Sequence, residues 1–437
     1  MILEGDDGAA DASTGDAVAE AGSAPPATMV WPNQASSTNS DPWISEHHDE
    51  IAQMQPQVLV LDFANTFQPA TGPVVPAGYD IEATLVPLVQ QHFDAFAVAS
   101  QYRGYSDPSA PAFLRYQIRK VVDLRDSSGA VNSGKLPISN GSVDYGQLNT
   151  QAFADAIGIE DPDAPGTNLT LCGLFEKGIV NEVWGVAADP LLNTDPPTIK
   201  FDEVVETKQV YDANDRPVSG DLACTSSPCI DQAIQCSVTV RLYDFNPGRG
   251  AGCHLFVNGM VWQSYLGAGV LPAFAKVART FFNDDFDTRF HAPFPNFSST
   301  CQPEGADGGP CIHWVSETHA VSGPASAEPF NFSPMTAGCG SVLFPPSATG
   351  IGVQPSDLTV LTSCENYGLR NGDGGVDMAT PYNLDIPNAD YANVSGVATD
   401  CGGSQPTYLL ASMPGLGTTA TASDGTPMRN WWVYLFY

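Results

Sequence analysis

Positive charge is what this chain has least of. Seventeen Lys and Arg stand against 49 Asp and Glu, a formal net charge of -32 over 437 residues. A chain so acidic is repelled by phosphate backbones and anionic lipid surfaces, which sets nucleic acid and anionic membranes aside as partners. No run of about 18 apolar residues occurs, so no segment is expected to span a bilayer as a helix. His-Glu-x-x-His, Gly-x-Ser-x-Gly, a phosphate-binding loop and a dinucleotide fingerprint opening a helix are all missing, and with them the chemistry each would announce. The Gly-rich stretch Asn246–His254 is followed by neither a Lys-Ser/Thr pair nor a helix N-terminus, so it cradles no phosphate. The absence of any Cys-x-x-Cys pair argues against a zinc ribbon and a thioredoxin-like redox centre. No repeat of fixed period is present. The first residues lack the charged and apolar regions of an export signal, so the chain is expected to be a mature form from which such a signal has been removed.

Cysteine, by contrast, is plentiful. Cys172, Cys224, Cys229, Cys236, Cys253, Cys301, Cys311, Cys339, Cys364 and Cys401 are even in number and fall mostly among Gly, Pro and Ser. That is how disulfides are distributed in an oxidising compartment, and it predicts an extracellular or cell-surface protein with about five bridges. Short loops predict local pairing of Cys224 with Cys229 and of Cys301 with Cys311; spacing does not pair the other six. A cytosolic salt-adapted protein would share the acidity but not the cysteines.

In chain order, residues 1–45 offer little to bury and read as a disordered acidic tether, with or without an anchor at a surface. Gln57–Phe63 reads as a buried strand that ends in Asp62. Asp80–Ser100 has helical spacing, with Pro87 marking a kink or a start. Phe113–Leu124 alternates like a strand with one wet face, and carries Arg115, Arg119 and Lys120, with Arg125 just beyond. In so acidic a protein these cations are expected to meet internal carboxylates, although an anionic substrate group would use the same fork geometry. Tyr145–Ile157 is a second helix. Asn168–Ala188 is the most legible stretch. Leu169, Cys172, Leu174 and Phe175 recur at helical spacing, Gly178 supplies the left-handed stop, and Ile179–Val186 is β-branched and aromatic, reading as a central strand. Lys200–Tyr211 suggests hairpin strands, Cys236–Phe245 a strand ending in Asp244, and Val270–Phe282 a helix. The final Trp431-Trp432-Val433-Tyr434-Leu435-Phe436 is too apolar to hang free and should pack as a strand or tail.

The expected fold is therefore α/β, a mixed sheet flanked by helices, with an irregular disulfide-rich β region in the C-terminal third. The expected divisions are a tether over 1–45, an α/β core over 46–290, and a β-containing region over 291–437 packed on it.

Three constellations carry chemistry. The first is a carboxylate set in or at the ends of strands: Glu182, Asp244 and Asp62. Glycosidic hydrolysis needs one protonated and one ionised carboxyl, and a Glu beside a Trp has the surroundings that raise a pKa. The competing reading pairs Glu182 with Arg115, Arg119 or Arg249 in the core, and lets Asp62 cap the turn that follows it. Arg249, His254, Trp184 and Trp262 are the accompanying substrate-binding candidates, and Trp314, Trp431 and Trp432 offer further aromatic surface. The second is Cys311–Ala320. If it is one strand, His313, Glu317 and His319 share a face and can hold zinc with a water as fourth ligand. The third is acidic loop sequence, Asn283–Asp287 and Asn371–Asp377, which offers oxygen ligands to calcium but lacks the twelve-residue loop pattern. No cofactor is demanded; zinc and calcium are the two the patterns admit. The expectation from sequence is an exported or surface-tethered hydrolase acting on an extracellular polysaccharide through carboxylate acid/base chemistry. A zinc-dependent hydrolase, a non-enzymatic glycan-binding or adhesion protein and an envelope-layer protein stand as alternatives.

Overall fold

The computed structural model describes residues 27–36, 41–67, 69, 73–76, 78–104, 107, 109–129, 132, 134–139, 142–186, 204–211, 217–224, 234, 236–238 and 240–245, with shorter segments at 312–316, 319–322, 329–331, 359–360, 382–383, 410–411, 414–418 and 429–436. Its strands in order are β1 Met29–Trp31, β2 Ile51–Met54, β3 Gln57–Asp62, β4 Gln117–Asp123, β5 Ile138–Ser139, β6 Ser142–Val143, β7 Glu160–Asp161, β8 Ala164–Asn168, β9 Glu182–Val186, β10 Val204–Tyr211, β11 Pro217–Cys224, β12 Val240–Asp244, β13 Ile312–Ser316, β14 His319–Ser322, β15 Pro329–Asn331, β16 Thr359–Val360 and β17 Tyr382–Asn383. Four α-helices accompany them: α1 Asp41–Glu46, α2 Val86–Ala99, α3 Gln151–Ile157 and α4 Leu171–Glu176.

Six strands form the main sheet in the order β11-β10-β12-β9-β3-β4. β12, β9, β3 and β4 are parallel, and the β10–β11 hairpin adds an antiparallel edge. The sheet is mixed, as the alternation of strand and helical patterns implied. The chain leaves β3 through α2 to reach β4 on one side, then returns past β3 to β9 and on to β12. β3 is thus the strand at which the winding changes direction, and in open α/β sheets ligands gather outside the carboxyl ends of such strands.

Local sequence accounts for the helices. Asp80 accepts a hydrogen bond from the Ala83 amide at 3.0 Å, a π-helical turn over Ile81–Leu85 follows, and Pro87 lies in the first turn of α2, where its missing N–H costs nothing. Thr150 and Thr170 cap α3 and α4, and Gly158 and Gly178 follow them with φ of 64° and 61°, the left-handed stops that glycine adopts without a Cβ penalty. The two faces of the sheet are covered differently. On one, Leu59, Leu61, Val122, Val183 and Leu242 pack with Phe153 and Ile157 of α3 and Leu171, Leu174 and Phe175 of α4. On the other, Trp184 is surrounded by Phe93, Phe96, Tyr116 and Phe245, with ring centroids 5.1–6.1 Å away. His92 of α2 is a core residue whose Nδ1 lies 2.7 Å from the Leu88 carbonyl.

β4 forms an edge of the sheet and is protected as edges usually are. Its register on β3 passes from Val58 opposite Ile118 to Leu59 opposite Lys120, so Arg119 is an extra, bulged residue. Arg115 and Arg119 are exposed and, among the described residues, form no ion pair, contrary to the expectation that all these cations meet carboxylates. Lys120 reaches the Gly158 carbonyl at 2.9 Å.

Several expectations require adjustment. The tether does not extend to residue 45, because Met29, Val30 and Trp31 give the chain something to pair and bury, and β1 lies parallel to β2. The chain's end packs inward as a 3-10 helix over Trp431–Phe436, not as a strand, with Trp431, Trp432 and Val433 buried. A three-stranded antiparallel sheet, β13-β14-β15, is described in the C-terminal third. Residues 1–26 and 246–311, which include the expected helix Val270–Phe282 and the acidic loop Asn283–Asp287, lie outside the described residues, as does Asn371–Asp377.

One disulfide joins Cys172 of α4 to Cys236, which precedes β12, across a sequence separation of 64. Cys229, Cys301 and Cys311 lie outside the described residues, so the two local pairings are not addressed. A bridge closing a loop of this length constrains the unfolded chain by about 4 kcal/mol. Replacing both Cys172 and Cys236 by Ser is expected to lower the unfolding free energy by roughly that amount in urea under non-reducing conditions, through a lower midpoint.

Candidate functional site

Three of the four parallel strands, β3, β4 and β12, end in aspartate: Asp62, Asp123 and Asp244. Register brings the first two together, because Asp62 and Asp123 are Cα partners on neighbouring strands. Asp244 pairs with Gly185, on the far side of β9 from Asp62, so it stands at the same end of the sheet but two strand spacings, about 10 Å, from Asp62.

Asp62 is completely buried. Its Oδ1 accepts a hydrogen bond from the Tyr79 hydroxyl at 2.6 Å and from the Ala64 amide at 3.2 Å. Its Oδ2 lies 3.3 Å from Nη2 of Arg125 but accepts no aligned hydrogen bond, so that contact is one of charge alone. Arg125 is committed chiefly to Asp123: Nε donates to Oδ1 at 2.8 Å and Nη2 to Oδ2 at 3.2 Å, a bidentate fork. The guanidinium also lies over the Tyr79 ring, 4.1 Å from its centroid, and the Phe67 ring stands perpendicular to that ring, centroids 4.9 Å apart. One arginine therefore joins two carboxylates and a tyrosine.

The two carboxylates differ in electrostatic environment. Burial pushes Asp62 up to about 6, against the opposing pull of Tyr79's hydrogen bond and Arg125's charge. Burial acts upward on Asp123 too, but hydrogen bonds from the Arg125 side chain and amide outweigh it and hold Asp123 below the usual carboxylate range; its side chain is 46% exposed. Tyr79 is driven well above the ordinary phenol range, first by burial and then by the Asp62 charge, so it remains a donor.

Glu182 does not belong to this group. It is the first residue of β9 and pairs with Val58, whereas Asp62 pairs with Val186, so four residues, about 13 Å of strand, separate the two carboxylates along the sheet. Glu182 is 2% exposed, with the Tyr116 hydroxyl donating to Oε1 at 2.9 Å and the Trp184 indole to Oε2 at 3.0 Å. Leu242 of β12 pairs with Val183, so the buried Arg241, one residue earlier, stands level with Glu182 on the neighbouring strand. A buried anion beside a buried cation is how charges become tolerable inside a sheet, and the register favours Arg241 over the exposed Arg115 and Arg119 for that role.

Trp184 is core, not a platform for sugar: it is 2% exposed because α2 and Phe245 cover it. Trp431 and Trp432 are buried as well. Within Cys311–Ala320 the described residues form two antiparallel strands, β13 and the start of β14, not one. Ser316 of β13 faces His319 of β14 and His313 faces Val321, so the two histidines lie on different strands. Glu317 is outside the described residues, as are Arg249, His254 and Trp262. Among the described residues no three His, Cys, Asp or Glu side chains stand close enough to hold a metal ion. No helix among them is long and apolar enough to cross a membrane. Tyr79 and Asp123 were not singled out from sequence. Asp123 had a signal, since Val121-Val122-Asp123 repeats the apolar-run-then-Asp ending of β3, while a lone Tyr in a Pro/Gly-rich loop has none.

The fold and site define an α/β protein with a parallel core sheet and paired aspartates at the carboxyl ends of β3 and β4. Comparison with protein-family models, with characterised proteins and with solved structures finds no match.

Two predictions follow the site's geometry. Glu182→Gln is expected to cost about 3 kcal/mol in urea unfolding, as loss of one partner of a buried charge pair does; an unchanged midpoint would remove the structural assignment. The second concerns pH. The folded chain holds the Asp62 proton up to about pH 6, whereas the unfolded chain releases it near 3.8, so this group's stabilisation is complete below 3.8 and is lost as pH rises toward 6. His48 acts oppositely. Burial, with Arg429 adding to it, lowers His48 from 6.5 to about 3, so its contribution is complete above 6.5 and is lost as pH falls toward 3. Asp62→Asn is therefore expected to gain up to about 3 kcal/mol relative to wild type between pH 4 and 7, and His48→Asn up to about 5 kcal/mol between pH 7 and 3, by denaturant unfolding at each pH.

Proposed function

We propose that this protein is an exported hydrolase that cleaves an extracellular polysaccharide by carboxylate acid/base catalysis, with Asp62 as the acid and Asp123 as its ionised partner. The observation that carries this reading is the separation of two neighbouring aspartates into one held protonated to about pH 6 and one held ionised. Pairs whose environments push their pKa values apart divide acid and base duties, and a glycosidic bond is the linkage that two carboxyl groups suffice to hydrolyse. Nη2 of Arg125 lies 3.3 Å from Asp62 Oδ2 and 3.2 Å from Asp123 Oδ2, so these oxygens are at most about 6.5 Å apart, which favours the close spacing of retaining enzymes over the wider gap that admits a water. Asp123 is open to solvent; Asp62 is not, and the substrate oxygen reaches its Oδ2 by displacing the unaligned Arg125 contact. The acidic surface, the cysteine content and the Cys172–Cys236 bridge support an oxidising, extracellular setting.

The test is reducing-sugar release from a panel of neutral and acidic polysaccharides across pH 4–8. Turnover is expected to be highest in mild acid and to fall as pH rises through about 6, where Asp62 loses its proton. Asp62→Asn and Asp123→Asn should each reduce it about 10²- to 10⁴-fold, the contribution of a positioned acid or base. Both variants folded and fully active would overturn the reading.

A further inference from the structure

We propose that Tyr79 is the positioning residue that divides the two oxygens of Asp62, tying Oδ1 to the protein and leaving Oδ2 to carry the transferable proton. Where that proton goes rests on the hydrolase reading; which oxygen carries it does not. Oδ1 already receives two donors, the Tyr79 hydroxyl at 2.6 Å and the Ala64 amide at 3.2 Å. A proton on Oδ1 would set hydrogen against hydrogen on both, so a neutral Asp62 keeps its O–H on Oδ2. Oδ2 accepts no hydrogen bond, and the Arg125 guanidinium beside it at 3.3 Å is not aligned to donate.

Tyr79 from the loop after β3, Asp123 at the end of β4 and Arg125 two residues beyond it are the titratable and charged groups that face Asp62. Among these three, Tyr79 is the one that gives Asp62 a hydrogen bond. Its ring is held on one face by the Arg125 guanidinium at 4.1 Å and by a perpendicular contact with the Phe67 ring, centroids 4.9 Å apart. The arginine that holds Asp123 ionised thereby also sets the angle from which Tyr79 addresses Asp62. Arg125 gives Asp123 two aligned hydrogen bonds and Asp62 none, so an incoming proton goes to Asp62 and the pair never exchanges roles.

The experiment is a ¹³C-carboxyl NMR titration of the full-length protein, with Asp62 and Asp123 assigned from their Asn variants. In wild type the Asp62 signal should titrate near pH 6 with Asp123 already ionised. Tyr79→Phe keeps the ring and removes the donor, and should move the Asp62 midpoint up by about one pH unit while leaving Asp123 in place. Difluorotyrosine labelling, which keeps the ring and makes the hydroxyl a stronger donor, should move Asp62 down, and serves if Tyr79→Phe does not fold. An Asp62 midpoint unmoved in a folded variant, or Asp123 moving in step with it, would overturn the proposal. Titrations that shift as expected in a protein that cleaves no glycan would remove the hydrolase reading and leave this one standing.

Discussion

The parallel pairing of β3 with β4 is the constraint on which the carboxyl end of this sheet depends. Register alone sets Asp62 beside Asp123, and two carboxylates at strand spacing repel unless something comes between them. Arg125 does so, two residues beyond Asp123, where the chain turns off β4. The bulge at Arg119 adds one residue to β4, and it fixes which β4 residue arrives opposite Asp62. Were β4 paired without the bulge, Val122 would stand there, and the carboxylates would no longer be partners.

The same register keeps the second buried carboxylate apart. Glu182 opens β9 and Asp62 closes β3, so a parallel arrangement places them at opposite ends of the sheet. Each end then meets its buried charge with local means. At the amino end Glu182 takes donors from Tyr116 and Trp184, with Arg241 level on β12. At the carboxyl end Asp62 takes them from Tyr79 and the chain turn. The aromatic layer of Trp184, Phe93, Phe96 and Phe245 against α2 holds the middle of that face dry, which is why both carboxylates need dedicated partners.

Much of this fold was legible in the sequence because its signals are local. The Gly178 stop, the helix before it and the runs Val58–Leu61 and Val183–Val186 depend only on near neighbours, and each stands where spacing placed it, while the helix expected over Tyr145–Ile157 begins only at Gln151. Strand order and direction do not depend on near neighbours. From sequence, Glu182 and Asp62 were two acids in apolar runs; only knowing that one begins its strand and the other ends it separates them. Trp184 shows the same limit, since a Trp in a strand reads equally well as a sugar platform or as core until α2 is seen lying over it. Tyr79 was hidden because its function arises from a contact across 17 residues with no periodicity to mark it. Asp123 was masked by the cations around it, although its place at the end of Val121-Val122 was readable.

The central claim is that Asp62 and Asp123 form one unit and Glu182 another. Double-mutant cycles in unfolding free energy address it most directly, using Asp62→Asn with Asp123→Asn and Asp62→Asn with Glu182→Gln. Groups that share Arg125 should couple by about 1 kcal/mol or more, while carboxylates some 13 Å apart with separate partners should add to within about 0.5 kcal/mol. Strong coupling of Asp62 to Glu182, with none to Asp123, would contradict the account.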